Sequence, residues 1–312
     1  MSAAPRLPDF VIGGTEKAGT TSVFDWLCSH PDVGASVRKE TDFFREHYTG
    51  DRAVDAQRYA GFFEHADPAA PLWVEASPGY LGEAASVAPR MRALVPTAKL
   101  LFILRDPIDR LHSSYHFHRG RLNLPQDLEF DEYVRRCLAF DEGTPAAALG
   151  LDPWYLKVLR FGRYADSLAV FREHFGPAQV KVTFFEDLGA DERGFMKSLS
   201  EFLGIDAGYW DRFEFRRSNV TFSARLRGLH RLAVRTNALA EPLMRRYPAV
   251  KHSLVRVYKA FNQEREGYDP MPAGTRRMLV DYYDPSLRRL EQQLGRELPA
   301  TWCRAEPNRA AA

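Results

Sequence analysis

The chain has 312 residues, 45% hydrophobic and 27% charged, enough to bury a large core and ordinary for a soluble enzyme. Its net charge of +2 gives no global case for nucleic acid, and no window approaches the ~20 apolar residues of a membrane span. Three scattered cysteines (Cys28, Cys137, Cys303) and no leader-like N-terminal run argue against a disulfide or zinc framework and predict a cytoplasmic location.

In chain order, Asp9 to Gly13 reads as a buried strand and Thr20 to Ser29 as a helix, stopped at His30-Pro31-Asp32. Val33 to Val37 is a short strand or extended segment, and residues 45 to 70 are polar loop with a short helix. Leu72 to Glu75 is a strand ended by Ser77-Pro78-Gly79. Val87 to Leu94 is a helix. Lys99 to Leu104 is a continuous apolar run of the kind buried in parallel sheets, and Ile108 to His118 follows as a helix. Residues 121 to 155 lack clear periodicity and read as a mobile region over a site. Tyr164 to Phe175 is a helix, Val180 to Phe185 a strand, Phe195 to Leu203 a helix, and Thr275 to Leu294 the clearest later helix.

Strands alternating with helices predict an α/β fold: a P-loop-NTPase-like three-layer α/β/α arrangement around a central parallel sheet. No linker is visible, so residues 1–312 are read as one domain with its core at about 9–300. In such sheets ligands bind beyond the C-terminal strand ends, so the loops after the first strand, Leu72 to Glu75 and Leu104 should share one crevice.

The first of those loops, FVIGGTEKAGTTS over residues 10–22, carries the strongest signal. Gly13, Gly14 and Gly19 allow tight turning and close approach to a ligand. Lys17 adds a mobile charge, and Thr20, Thr21 and Ser22 add hydroxyls at a helix N-terminus, a setting that suits phosphate. An NTPase loop reads G-x-x-x-x-G-K-[ST]; here the lysine comes two residues before Gly19 and a threonine follows it. A glycine-rich turn without a ligand is the competing reading. The loop resembles the 5′-phosphosulfate loop, K-x-G-T-T/S, of sulfotransferases that use 3′-phosphoadenosine 5′-phosphosulfate (PAPS).

Three further segments resemble that family, in its soluble bacterial and carbohydrate or heparan sulfate branches. In KLLFILRDPIDRLHSSYHFHR, residues 99–119, Arg105 ends a strand and Ser113 lies on the next helix. The resemblance implies that this pair holds the 3′-phosphate; alternatively Arg105 pairs with Asp106 or Asp109. Arg38 to Phe44 resembles K-E-x-x-F-F, which implies Glu40 as the general base, a role suited to a carboxylate beside a hydroxyl nucleophile. Val74 to Tyr80 resembles E-K-[ST]-P-x-Y, but Ala76 stands at the lysine position, and Asp42 stands where some relatives have histidine.

A weaker signal is Arg225, within a run from Arg216 to Arg246 that carries eight arginines against the single acid Glu241. A solvated face explains such a run as well as an anionic ligand does.

The implied function is PAPS-dependent sulfuryl transfer to a hydroxyl or amine of a glycan, lipid or other natural product, without nucleic acid, stable membrane insertion or metal. Glu40 and Lys17 would be catalytic. Lys17, Ala18, Gly19, Thr20, Thr21, Ser22, Arg105, Ser113 and Arg225 would bind the donor. A small-molecule kinase using Asp106 for magnesium and a non-catalytic nucleotide-binding protein are the alternatives. His112 and His116 share a helix face, but without an adjacent carboxylate pattern they read as structural.

Overall fold

The computed structural model describes residues 5–45, 55–216, 223–224, 263–264 and 270–302. Five parallel strands form the central sheet: β1 (Phe10–Gly14), β2 (Val33–Ala35), β3 (Leu72–Ala76), β4 (Lys99–Leu104) and β5 (Val180–Phe184), in the order β2-β3-β1-β4-β5. Phe10 pairs with Val74 on one side and Lys99 on the other, and Leu100 to Leu104 run beside Val180 to Phe184.

Successive strand residues point to opposite faces, and that alternation builds two cores. Phe10, Ile12, Leu101 and Ile103 face one, with Val23, Phe24 and Trp26 of α1 (Thr20–Leu27) and Met196 and Leu199 further along the chain. Val11, Leu100, Phe102 and Leu104 face the other, with residues from the helices on that side. The result is a three-layer α/β/α fold around a parallel sheet. Both sheet faces are covered, which is why β1 and β4 read as unbroken apolar runs rather than as alternating ones.

Chain order adds α2 (Ala56–Ala60), α3 (Ala84–Leu94), α4 (Pro107–Gly120), α5 (Phe130–Asp141), α6 (Ala146–Leu149), α7 (Pro153–Lys157), α8 (Tyr164–Phe175), α9 (Phe185–Ala190), α10 (Glu192–Leu203) and α11 (Ala273–Leu294). The stretch expected to be irregular over residues 121–155 is therefore largely helical. Phe130, Tyr133, Val134 and Cys137 are the buried residues of α5, at the spacing of one helix face. The three prolines that pointed to loop sit at or outside helix ends. Pro153 opens α7, where Asp152 accepts the Trp154 amide, and Pro145 precedes α6.

The chain leaves β1 for the β2 and β3 side and then crosses to β4 on the other side, so the switch point lies at β1. Two hydrogen bonds stitch the strand ends there beyond the ladders. The Ser77 N–H donates to Ile12 O at 3.1 Å, and the Thr15 N–H donates to Ile103 O at 2.9 Å. The loops after β1, β3 and β4 thus share one crevice, as the pattern predicts.

Gly13 and Gly14 are the last residues of β1, one residue beyond the expected strand end. A Cβ on Gly13 would lie 2.7 Å from Phe102 Cε1, so its bareness lets a core ring reach the sheet. Phe102 is fully buried, with its ring centroid 4.7 Å from that of Phe171. Phe102→Ala should lower the unfolding free energy by about 3–5 kcal/mol in denaturant titrations. Val37→Ala, at a position 58% exposed, should change it by less than about 0.5 kcal/mol.

Candidate active site

The loop after β1 is held in a shape that side chains rarely adopt. Lys17 has φ +67° and Gly19 has φ +78°. At Gly19 a Cβ would also meet Leu188 Cδ2 at 2.8 Å, so this position requires glycine on two grounds. Gly19 caps α1 without a side-chain bond, and the first turn carries no acid. The positive end of α1 therefore faces the crevice without a competing carboxylate of its own, the polarity an anion needs. Ala18 is fully buried in the core, so only its backbone can serve a ligand. Thr20 and Ser22 are buried and Thr21 is half-buried.

Lys17 points across the crevice to α4. Its Nζ sits 4.1 Å from the Phe117 ring centroid, and Arg121 covers the same ring at 4.4 Å. Burial, reinforced by the charges of Arg105 and Arg121, pulls the Lys17 ammonium down to about 8, while Glu16 and Glu40 oppose the shift. The nearby His118 imidazole is pushed down to about 4 by burial and by Arg121 and Lys17. A crevice that disfavours added positive charge in this way is complementary to a phosphate dianion.

Arg105 follows β4 directly, and its Nη1 donates to the Lys17 carbonyl at 2.9 Å. Its guanidinium lies 5.0 Å from the Phe185 ring centroid, and Tyr164 Oη donates to the Arg105 carbonyl at 2.8 Å. The structure thus brings together Lys17 and Arg105, which are 88 residues apart in sequence. Ser113 is buried on α4, two turns into the helix that begins just after Arg105. Asp106 is the N-cap of that helix, accepting the Ile108 amide at 2.8 Å and the Asp109 amide at 3.2 Å. Arg225 lies outside the described residues, as does the arginine run beyond Arg216.

Glu40 stands at the end of β3, where its N–H donates to the Ala76 carbonyl at 2.7 Å. Its side chain is 55% exposed, with Lys39 Nζ at 2.7 Å. Ala76 is fully buried in the core, and its carbonyl is the group tied to Glu40. Glu40 and Asp42 both have positive φ, +63° and +51°. Asp42 pairs with Arg45 at 3.2 Å, and Arg45 reaches on to Glu83 at 2.6 Å. Burial raises the Asp42 carboxyl above its ordinary value despite Arg45.

Glu16 escaped the sequence reading, and Glu75 entered it only as the first matching residue of the Val74–Tyr80 segment, with no role. Glu16, beside Lys17, is raised by burial while Arg110 and Arg45 pull it back down. Glu75 has no exposed surface, and burial lifts its carboxyl to about 7. Its position within an apolar strand immediately before a Ser-Pro-Gly turn was the available signal. Phe117 and Arg121 were also missed, because an α4 face turned toward another loop has no one-dimensional mark.

His112 and His116 do share a face, with Nε2 atoms 3.0 Å apart, against Phe130 and Tyr115. Among the described residues no group of three or more His, Cys, Asp or Glu is arranged to hold a metal ion. No helix among them is long and apolar enough to cross a membrane.

The loop after β1, the strand-end Arg105 and the Glu40 carboxylate lie at the ends of adjacent strands β1, β4 and β3. Comparison with known proteins names the family. The sulfotransferase domain family matches residues 7–222, and the chain belongs to that family.

A crystal structure of a sulfotransferase from Alicyclobacillus acidocaldarius is similar over 94% of this chain and 98% of its own, with 25% identity and a TM-score of 0.64. The fold is thus that of the sulfotransferases rather than specifically that of an NTPase. The human bifunctional heparan sulfate N-deacetylase/N-sulfotransferase 3 is 27% identical over 313 residues, covering 96% of this chain and 32% of that protein. The membrane-associated sulfotransferase kil1 of Dictyostelium discoideum is 36% identical over 113 residues, or 36% of this chain and 23% of its own. The chain spans about a third or less of the length of these two relatives.

The buried Glu75 gives stability a pH signature. Its folded value near 7 lies above the ordinary carboxyl value of 4.5, so the native state holds this proton where the unfolded chain has lost it. Stability should therefore fall by up to about 1.4 kcal/mol per pH unit from this group as pH rises from 4.5 through 7. Glu75→Gln should remove that slope from denaturation curves recorded across the window. An unchanged slope would show that the carboxyl is not held protonated.

Proposed function

We propose that this site binds PAPS with its 5′-phosphosulfate on the loop 17–22 and its 3′-phosphate at Arg105 and Ser113, and transfers the sulfuryl group to a hydroxyl or amine of a glycan or small molecule. The observation that carries this reading is the convergence of Lys17, Arg105 and Glu40 on one crevice at the ends of β1, β4 and β3. The donor supplies an activated sulfuryl group with an adenosine bisphosphate as leaving group.

The chain's residues do the rest by position and charge. Lys17 and the amides of Gly19 to Ser22 balance the negative charge that builds on the departing phosphate oxygen. Thr20, Thr21 and Ser22 add hydroxyl donors, and Ala18 contributes backbone alone. Arg105 offers a planar fork suited to a phosphate, one arm of which already fixes the Lys17 carbonyl. Glu40 takes the acceptor proton as the new S–O or S–N bond forms and the bond from sulfur to the phosphate oxygen breaks. Arg225 is a further candidate for the 3′-phosphate.

In this reading the loop after β1 is a variant of the NTPase phosphate loop in which the lysine has moved ahead of the last glycine. A kinase would need a free acid at a strand end, and Asp106 is engaged as a helix cap. Ala76 removes the lysine that heparan-type relatives place beside the acceptor, so a neutral glycan or other small hydroxyl compound is favoured over a densely sulfated one.

Calorimetry with 3′-phosphoadenosine 5′-phosphate should show binding at least about tenfold tighter than for AMP, ADP or ATP, with the preference lost in Arg105→Ala. Preference for ATP with magnesium would support a kinase instead. Glu40→Gln should keep that binding but lower sulfuryl turnover by about a hundredfold or more, measured as conversion of PAPS. Wild-type turnover in Glu40→Gln would remove it as the base.

A further inference from the structure

Three consecutive residues of the Glu40 loop are tied to three consecutive residues at the end of β3. The Glu40 N–H donates to Ala76 O at 2.7 Å, and the Asp42 N–H donates to Ser77 Oγ at 3.0 Å. Between them the Thr41 hydroxyl donates to Glu75 Oε2. Thr41 and Glu75 are both buried, and the residues on either side of Thr41 have positive φ. Such backbone is strained and persists only where the surroundings over-determine it. The Thr41–Glu75 bond is the one tie of the three that uses a buried ionisable group.

Building the loop into the fold does not by itself demand a carboxyl at this point. A buried carboxylate is costly, and an apolar pair of the same shape would serve stability as well. Glu75 nevertheless stands here with Oε1 lacking a hydrogen-bond partner and with the Tyr80 hydroxyl 3.4 Å from Thr41 Oγ1. The Tyr59 hydroxyl, also buried, and Asp42 are the other titratable groups facing it.

We infer that Glu75 and Thr41 are positioning residues for sulfuryl transfer: the buried carboxyl accepts the Thr41 hydroxyl and so fixes the backbone from which Glu40 reaches the acceptor. This inference rests on the assignment of Glu40 as base. Neither residue touches the reacting atoms in this account; both act through Glu40. Protonation of Glu75 near neutrality supports it, since a neutral carboxyl can still accept from Thr41 while avoiding the penalty of a buried charge.

The test uses the full chain as Thr41→Val, which removes the donor and keeps the shape, with Thr41→Ser as the conservative rescue and Glu75→Leu as a second break of the same bond. Amide hydrogen exchange should rise about tenfold or more at Glu40 and Asp42 in Thr41→Val, while amides of β1 and β4 stay protected. PAPS turnover to 3′-phosphoadenosine 5′-phosphate should fall about tenfold or more in kcat, with affinity for that product within about twofold of wild type. Thr41→Ser should restore both, and Thr41→Val should add little to the loss in Glu40→Gln.

Wild-type exchange and turnover in Thr41→Val and Glu75→Leu would overturn the inference. So would equal losses of product affinity and turnover, which mark a structural role only. Should the wild-type chain bind no 3′-phosphoadenosine 5′-phosphate, the sulfotransferase site assignment fails, and the exchange arm still decides whether the clamp exists.

Discussion

The hydrogen bond from Arg105 Nη1 to the Lys17 carbonyl is the constraint on which the site depends. It joins the end of β4 to the loop after β1, across the switch point of the sheet. A carbonyl held by a guanidinium at this point fixes the left-handed turn at Lys17, and that turn directs the lysine toward α4 while presenting the start of α1 to the crevice. A guanidinium carries five N–H donors, and the one spent on this carbonyl shapes the loop. Tyr164, from the opposite layer, holds the arginine's own carbonyl and so anchors the strand tip.

Charge is distributed around this joint with opposing purposes. Burial first, and the charges of Arg105 and Arg121 second, lower the ammonium of Lys17 on one side, a setting that favours an incoming anion. On the other side Glu40 is exposed beside Lys39, while Asp42, Glu16 and Glu75 are withdrawn from water and raised. A single solvent-facing carboxylate among several suppressed ones is the pattern expected where one group must accept a proton and its neighbours must not compete. Strain gathers at the same place: Lys17, Glu40 and Asp42 are three of the four non-glycine residues with positive φ among those described. The parallel sheet beneath, with apolar cores on both faces, supplies the rigidity that holds them there.

The layered fold was legible because β1 and β4 are apolar without interruption and the helices between them carry a regular period. The placement of the loop after β1 beside Arg105 was legible because both follow strand ends that neighbour each other in such a sheet. Helix α5 was not, since prolines on both sides of it masked the spacing of Phe130, Tyr133, Val134 and Cys137. The strand runs one residue past the expected Gly13, and the bareness of Gly13 and Gly14 answers to Phe102 and Leu81, contacts made in space rather than along the chain. Glu75 was visible only as part of the Val74–Tyr80 segment, without a role. Its burial and its bond to Thr41 exist only once β3 lies beside the Glu40 loop, 34 residues away in sequence.

The most direct measurement is a crystal structure of the full chain with 3′-phosphoadenosine 5′-phosphate. The 5′-phosphate should lie over the loop, within hydrogen-bond reach of Lys17 and the amides of Gly19 to Ser22, and the 3′-phosphate against Arg105 and Ser113. A nucleotide bound elsewhere, or bound in the crevice with its 3′-phosphate in solvent away from Arg105, would contradict this placement.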